Sequence, residues 1–72
     1  MGAAKAIRKI MVDKEVSVKQ LAEQMGKPYQ TVLNTFIKDS MSIRMAMLYA
    51  NELDCDIVFK DRKTGEEYTI VQ

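Results

Sequence analysis

The stretch SVKQLAEQMGKPYQTVLNTF, residues 17–36, places a glycine and the only proline of the chain between two short apolar patterns. Before the break, apolar residues recur at the spacing of one helix face: Val18, Leu21, Ala22 and Met25. Ser17 followed by Gln20 is the pattern of a capping box, so the sequence predicts a helix over 17–25. Gly26 then occupies the position at which a left-handed residue ends a helix.

After the break, Pro28 suits the first turn of a new helix, because its fixed φ is already helical and its missing N–H removes no bond there. The sequence predicts this helix over 28–38, with four apolar residues facing inward: Val32, Leu33, Phe36 and Ile37. Two helices separated by about three residues are expected to cross at a steep angle.

Two further helices flank this pair. Ile7, Ile10 and Met11 predict an amphipathic helix over about 4–14. A fourth helix, over about 42–53, is predicted to begin near Ser40 or Ser42 and to bury a stripe made of Ile43, Ala46, Met47, Ala50 and Leu53. That stripe leaves four other apolar residues on the opposite side, where a second surface has to cover them: Met41, Met45, Leu48 and Tyr49.

The chain after Asp54 changes character. Alternating apolar residues over 55–60 and 66–71 enclose the turn-forming stretch DRKTG and predict a β-hairpin, with Gly65 in a left-handed position. An isolated hairpin is marginally stable in water, so it is expected to pack on the fourth helix, on the hairpin of a second copy, or on both. The predicted hairpin and dimer interface consists of Met45, Leu48, Tyr49, Ile57, Phe59, Tyr68 and Ile70.

Length and charge set further limits. With 72 residues, the chain is predicted to form one domain over 1–72, and a single core of this size rarely supplies more than roughly 3–5 kcal/mol of net stability. The net charge of +1 conceals an asymmetry, because residues 1–50 carry a net +4 and residues 51–72 a net −3. The basic half is the part that would face a polyanion, although solvated helix faces and an acidic tail explain the same charges.

Several classes of function are disfavoured by composition. The chain has no histidine and one cysteine, Cys55, so it offers neither a general base near pH 7, a Cys/His zinc site nor an internal disulfide. We expect no enzyme activity, no metal and no cofactor. The longest apolar run, residues 45–50, is too short to cross a bilayer, and the first residues lack a secretory pattern. A cytoplasmic location is therefore expected.

The segment LAEQMGKPYQTV, residues 21–32, resembles the helix-turn-helix of the phage Cro/repressor family, also called the XRE family. The consensus sequence of that family is close to LAxxxGxxxxxI. The likeness covers residues 5–53, and the tail is similar to the strand extension of small prophage members. The resemblance implies a four-helix domain followed by a hairpin. Its implied function is a transcriptional regulator, such as a repressor, that binds a palindromic operator in double-stranded DNA as a homodimer.

The resemblance also implies which residues meet DNA. The base-reading positions fall on Tyr29, Gln30 and Asn34, and Gln or Asn side chains can bind adenine N6 and N7 in the major groove. Phosphate contacts are expected from Lys19, Lys27, Thr31 and Lys38, and from the first amides of the second helix. Each has a structural alternative: an exposed polar residue can be plain solvated surface, and Tyr29 can cover the core.

The sequence departs from the family at two positions: Val18 replaces a frequent glutamine and Thr35 replaces a frequent aliphatic residue. A second resemblance, of KPYQTVLNTFI to PYQT segments of ribbon-helix-helix antitoxins, lacks the strand that those proteins need before their helix pair. The alternative from another class is a protein-interaction module, such as an antitoxin or phage-encoded inhibitor, that uses the same scaffold. The low net charge favours it, because weak phosphate attraction weakens nonspecific DNA binding.

Overall fold

A computed structural model describes residues 2–39 and 41–71 of the chain. Four α-helices precede a two-stranded antiparallel hairpin, which confirms the predicted class of a mainly helical fold with a small β part. The elements are α1 Ala3–Asp13, α2 Val18–Met25, α3 Tyr29–Lys38, α4 Ile43–Glu52, β1 Ile57–Lys60 and β2 Glu67–Ile70. Both strands are shorter than predicted, β1 at its start and β2 at each end.

The start of α2 confirms the predicted capping box. The Ser17 hydroxyl accepts a hydrogen bond from the Gln20 amide at 3.1 Å, and the Gln20 side chain accepts one from the Ser17 amide at 2.8 Å. Gly26 ends the helix with φ 66°, as predicted. Pro28 differs from the prediction, because its extended backbone (φ −61°, ψ 140°) makes it the N-cap of α3. Its carbonyl accepts the amides of Thr31 and Val32, so the helix begins one residue later.

The start of α4 is also set by a cap. The Ser42 hydroxyl accepts the Met45 amide at 3.2 Å, so of the two predicted starts the structure contains the one at Ser42. Ser40, the other predicted start, lies outside the described residues.

Left-handed residues follow the helices, and three of them are not glycine. Glu15 (φ 58°) follows α1, Asp39 (φ 49°) follows α3 and Asp54 (φ 57°) follows α4. After α1, the Val16 amide donates to the Met11 carbonyl and the Glu15 amide to the Val12 carbonyl, which is the Schellman arrangement. A Cβ atom strains this conformation, and an acidic side chain repels the negative end of the helix dipole.

We expect Glu15→Gly to stabilise the protein by about 0.5–1 kcal/mol, because removing Cβ relieves the left-handed strain by more than glycine costs in chain entropy. Thermal unfolding followed by circular dichroism measures the effect as a higher Tm. Glu23→Gly is the matched control: Glu23 is an exposed residue inside α2, where the same change should destabilise by roughly 0.5–1 kcal/mol. Equal losses at both positions would contradict the proposed strain at Glu15.

The core lies where the four helices meet. Leu21 of α2, Val32 of α3 and Tyr49 of α4 are completely buried, and the Tyr49 ring packs against Phe36 with centroids 5.6 Å apart. The other buried apolar residues come from the same helices and from the residue after α4: Ala4, Ile7, Met11, Ala22, Ala46, Ala50 and Leu53. This core contains residues from α1 to the end of α4.

Two residues of α4 were predicted on the wrong side of the helix. Tyr49, predicted on an outer interface, is in the core, whereas Ile43, predicted in the core, is 56% exposed. The buried positions Ala46, Tyr49 and Leu53 are as well spaced for one helix face as the predicted stripe, so periodicity alone did not separate the two. The aromatic contact of Tyr49 with Phe36 sets the rotation of the helix. Met45, predicted on the same interface, is half-buried against the core.

The predicted inward orientation of Ile37 was also wrong, since this side chain is 65% exposed. Val32 and Phe36 are the buried residues of α3, with Leu33 half-buried beside them. Ile37 lies about 100° around the helix from Phe36, which carries it past the edge of this narrow inner face.

A long-range contact joins α1 to the end of α4. The Lys14 ammonium donates a 2.6 Å hydrogen bond to the carbonyl of Leu53, the residue that caps α4. A cation at a helix C-terminus is favourable because the unpaired carbonyls carry partial negative charge. One of the basic residues of the helical half therefore has a structural contact.

The hairpin pairs Ile57 with Ile70 and Phe59 with Tyr68, which puts these four side chains on one face. Ile57 packs against the core at the base, while Phe59 and Tyr68 at the far end are 61% and 56% exposed. The Asp61 carboxylate accepts the amides of Lys63 and Thr64 in the connecting loop, and Gly65 is left-handed (φ 77°), as predicted. Half of the apolar face is therefore uncovered.

Candidate nucleic-acid interface

The outer face of α3 is presented to solvent by the packing of its opposite side. Leu21 and Ala22 of α2 and Val32 of α3 are buried, while the three-residue turn 26–28 holds the two helices together. The Lys27 amide donates to the Ala22 carbonyl and ties the turn to the last turn of α2. The position of α3 is therefore determined by buried contacts, and its outer side chains are available to a ligand.

Gln30 and Asn34, two of the predicted base-reading residues, are exposed and in contact with each other. The Gln30 Nε2 donates a hydrogen bond to the Asn34 Oδ1 at 3.1 Å. This bond uses one donor and one acceptor of the pair and leaves the Gln30 Oε1 and the Asn34 Nδ2 directed elsewhere. The pair thus keeps one acceptor and one donor that this bond does not use, and an acceptor together with a donor is what the N6 and N7 edge of adenine requires.

The other predicted contacts on α3 lie around this pair. Tyr29 is 48% exposed at the first residue of the helix. Thr31 is exposed, and its carbonyl accepts a bond from the Thr35 hydroxyl at 3.1 Å. Thr35, which departs from the family pattern, is accommodated because its hydroxyl bonds to the backbone of its own helix.

The predicted phosphate contacts have different exposures. Lys19 on α2 and Lys38 at the end of α3 are exposed, whereas Lys27 in the turn is half-buried. The capping box occupies the Gln20 amide and leaves the amides of Val18 and Lys19 outside it. Two cations and the start of α2 are therefore the exposed features that suit phosphate groups.

No protein-family model, curated protein or solved structure matches this chain. Within residues 2–39 and 41–71, no group of three or more His, Cys, Asp or Glu side chains is arranged to hold a metal ion. The helices of the described part are also too short or too polar to span a membrane.

One apolar residue on the outer face of α3 was predicted to lie in the core. Ile37 lies on the same side as Gln30 and Asn34, one turn beyond Asn34, and it is the exposed apolar residue of this face. The apolar pattern of α3 assigned it to the core. Nothing in the sequence distinguished it from Phe36, because both continue the stripe that begins at Val32.

Only part of the predicted hairpin and dimer interface is exposed to solvent. Met45, Leu48, Ile57 and Ile70 are half-buried within the monomer, and Tyr49 is excluded by its burial. Phe59 and Tyr68 are exposed and cross-strand neighbours. A groove of about 150 Å³ lies between α4 and the base of the hairpin, lined by apolar residues such as Met47, Cys55 and Ile70 and by the polar residues Asn51 and Asp56.

Proposed function

We propose that this protein is a sequence-specific DNA-binding transcriptional regulator of the Cro/repressor type, with α3 in the major groove. The observation that carries the proposal is the exposed Gln30–Asn34 amide pair on the outer face of α3. A helix held by a tight glycine-terminated turn and carrying an amide pair outward suits the reading of base edges. Occupying a promoter would then repress transcription in the cytoplasm of a bacterial or phage-infected cell.

Phosphate contacts would orient this helix. Lys19 lies near the start of α2 and Lys38 at the end of α3, so two exposed cations lie at the ends of the helix pair. Cations on either side of a reading helix can contact the two backbones that border the groove. The net +4 charge of residues 1–50 has the sign that this interaction needs.

A salt series tests DNA binding directly. We expect fluorescence anisotropy to show binding to mixed genomic DNA fragments at about 50 mM salt, and a dimer with about six or more phosphate contacts to lose about a thousandfold in affinity by about 200 mM. Lys19→Gln with Lys38→Gln should reduce the slope of log K against log salt by about 0.9 for each phosphate that the variant no longer neutralises. Lys63→Gln, in the hairpin loop, is the control. Binding that is absent or unchanged by salt would refute the proposal.

The apolar hairpin face supports a homodimer. Phe59 and Tyr68 lie side by side on a two-stranded sheet whose other face carries Val58, Lys60, Glu67 and Thr69. Covering such a face stabilises a hairpin that is marginal by itself. We expect such a dimer to present its two α3 helices to half-sites about 34 Å apart, which is the spacing of successive major grooves on one side of DNA.

We expect Phe59→Ser with Tyr68→Ser to convert a dimer to a monomer in sedimentation velocity, while circular dichroism keeps the helical signal of the wild type. The dissociation follows from removing the two exposed aromatic rings, each of which can bury about 150–250 Å². Val58→Ser is the matched control, because Val58 lies on the opposite face of β1 and is 39% exposed. A wild-type monomer at all concentrations, or a dimer that survives the double change, would disprove this interface.

The second candidate function is a protein-interaction module on the same scaffold, such as an antitoxin or phage-encoded inhibitor. Exposed apolar residues on two helices favour it: Val12 on α1 is 72% exposed and Ile43 on α4 is 56% exposed. Apolar surface of this kind suits a protein partner. Salt-independent capture of a protein, with no DNA binding in the anisotropy series, would support this function instead.

A further inference from the structure

Ile37 lies on the outer side of α3 that also carries Gln30 and Asn34. It lies seven residues after Gln30 and three after Asn34, so the three side chains share one side of the helix over about two turns. Its side chain is 65% exposed, although it continues the apolar stripe of the helix. Recognition helices in the major groove contact bases with residues spread over about two turns.

We propose that Ile37 reads a thymine by packing on its C5-methyl group, one base-pair step beyond the pair read by Asn34. This inference rests on the proposed DNA binding. The methyl group is the apolar feature that thymine presents in the major groove, and apolar side chains recognise it there. Helical rise separates Ile37 from Asn34 by about 4.5 Å along α3, which is close to the step of about 3.4 Å between base pairs.

The chemistry of the face determines the ligand. Gln30 and Asn34 suit adenine, so an apolar contact next to them extends an A·T-rich reading surface. A protein partner would require a broader apolar surface around Ile37, but its exposed neighbours on this side are polar or charged: Gln30, Asn34 and Lys38. A single exposed apolar side chain among donors, acceptors and a cation matches the mixed edge of DNA bases with their phosphates.

The test replaces thymine by deoxyuracil, which lacks only the C5-methyl group. The operator is first selected from random DNA with the full-length wild type, and each thymine of the selected site is then replaced in turn. At one position in each half-site we expect about fourfold weaker binding, the ratio that corresponds to one methyl group removed from water. Ile37→Ala should bind the thymine and deoxyuracil versions of that position equally.

Two comparisons make the result specific. Val12→Ala, at a 72% exposed apolar residue on α1, should keep the wild-type sensitivity to deoxyuracil. Equal Tm values for Ile37→Ala and the wild type would show that folding is preserved. If Ile37→Ala retains the sensitivity, or weakens binding equally at every position, the assignment is overturned while DNA binding stands. If the wild type selects no DNA, the proposed function and this inference both fail.

Discussion

Replacing Tyr49 by alanine is expected to unfold the protein. Tyr49 is completely buried and packs against Phe36, so the substitution removes a large aromatic side chain from the centre of the core. Deleting a buried aromatic side chain costs about 3–5 kcal/mol. A core of this size rarely supplies more than roughly 3–5 kcal/mol of net stability, so little remains to hold the helices together. Circular dichroism at about 25 °C and urea titration measure the destabilisation.

Tyr49→Phe is the matched control and should leave the protein folded. Among the described residues, the Tyr49 hydroxyl has no hydrogen-bond partner, so removing it relieves the cost of burying an unsatisfied polar atom. We expect the free energy of unfolding to stay equal or to rise by about 1 kcal/mol. If Tyr49→Ala remained helical and only dissociated a dimer, Tyr49 would be an interface residue, as the apolar pattern of α4 predicted.

Replacing both Gln30 and Asn34 by alanine is expected to abolish the preference for a selected operator over random DNA. Each well-placed amide contact to a base discriminates by about 1–3 kcal/mol, so two contacts correspond to a decrease in specificity of about 30-fold or more. Nonspecific binding should persist, because it depends on the cations that contact phosphate. Competition anisotropy with operator and random duplexes measures the two affinities separately.

The double variant is expected to fold like the wild type. Both side chains are exposed and, among the described residues, they hydrogen-bond to each other. Asn51→Ala, which removes an exposed amide from α4, should leave the preference intact. If the double variant keeps full specificity, the residues that recognise bases do not lie on this face of α3. Loss of nonspecific binding together with specificity would instead assign the pair to phosphate contacts.

The α2–α3 pair was predictable because its determinants are local. A capping box, a glycine in a left-handed position and a proline next to a helix start act over three or four residues, and each was placed from the sequence within one position. The exposed amides of Gln30 and Asn34 were predictable for the same reason, since two polar residues four apart share one helix face.

The faces of α3 and α4 were less predictable because too many residues in both helices are apolar. In α4, seven of the ten residues are Ile, Met, Ala, Leu or Tyr, so more than one stripe has helical spacing. Which stripe is buried depends on the shape of the opposing surface, and Phe36 of α3 favours Tyr49. For the same reason, the sequence pattern did not identify Ile37 as an exposed residue of α3.

The order and ends of the helices, the turn between α2 and α3 and the hairpin loop were determined by the sequence itself, because capping and turn chemistry act between near neighbours. Tertiary structure decided which apolar residues form the core. Tyr49 is buried and Ile37 is exposed because side chains from different helices must fill one shared volume, and that condition cannot be evaluated along a single helix.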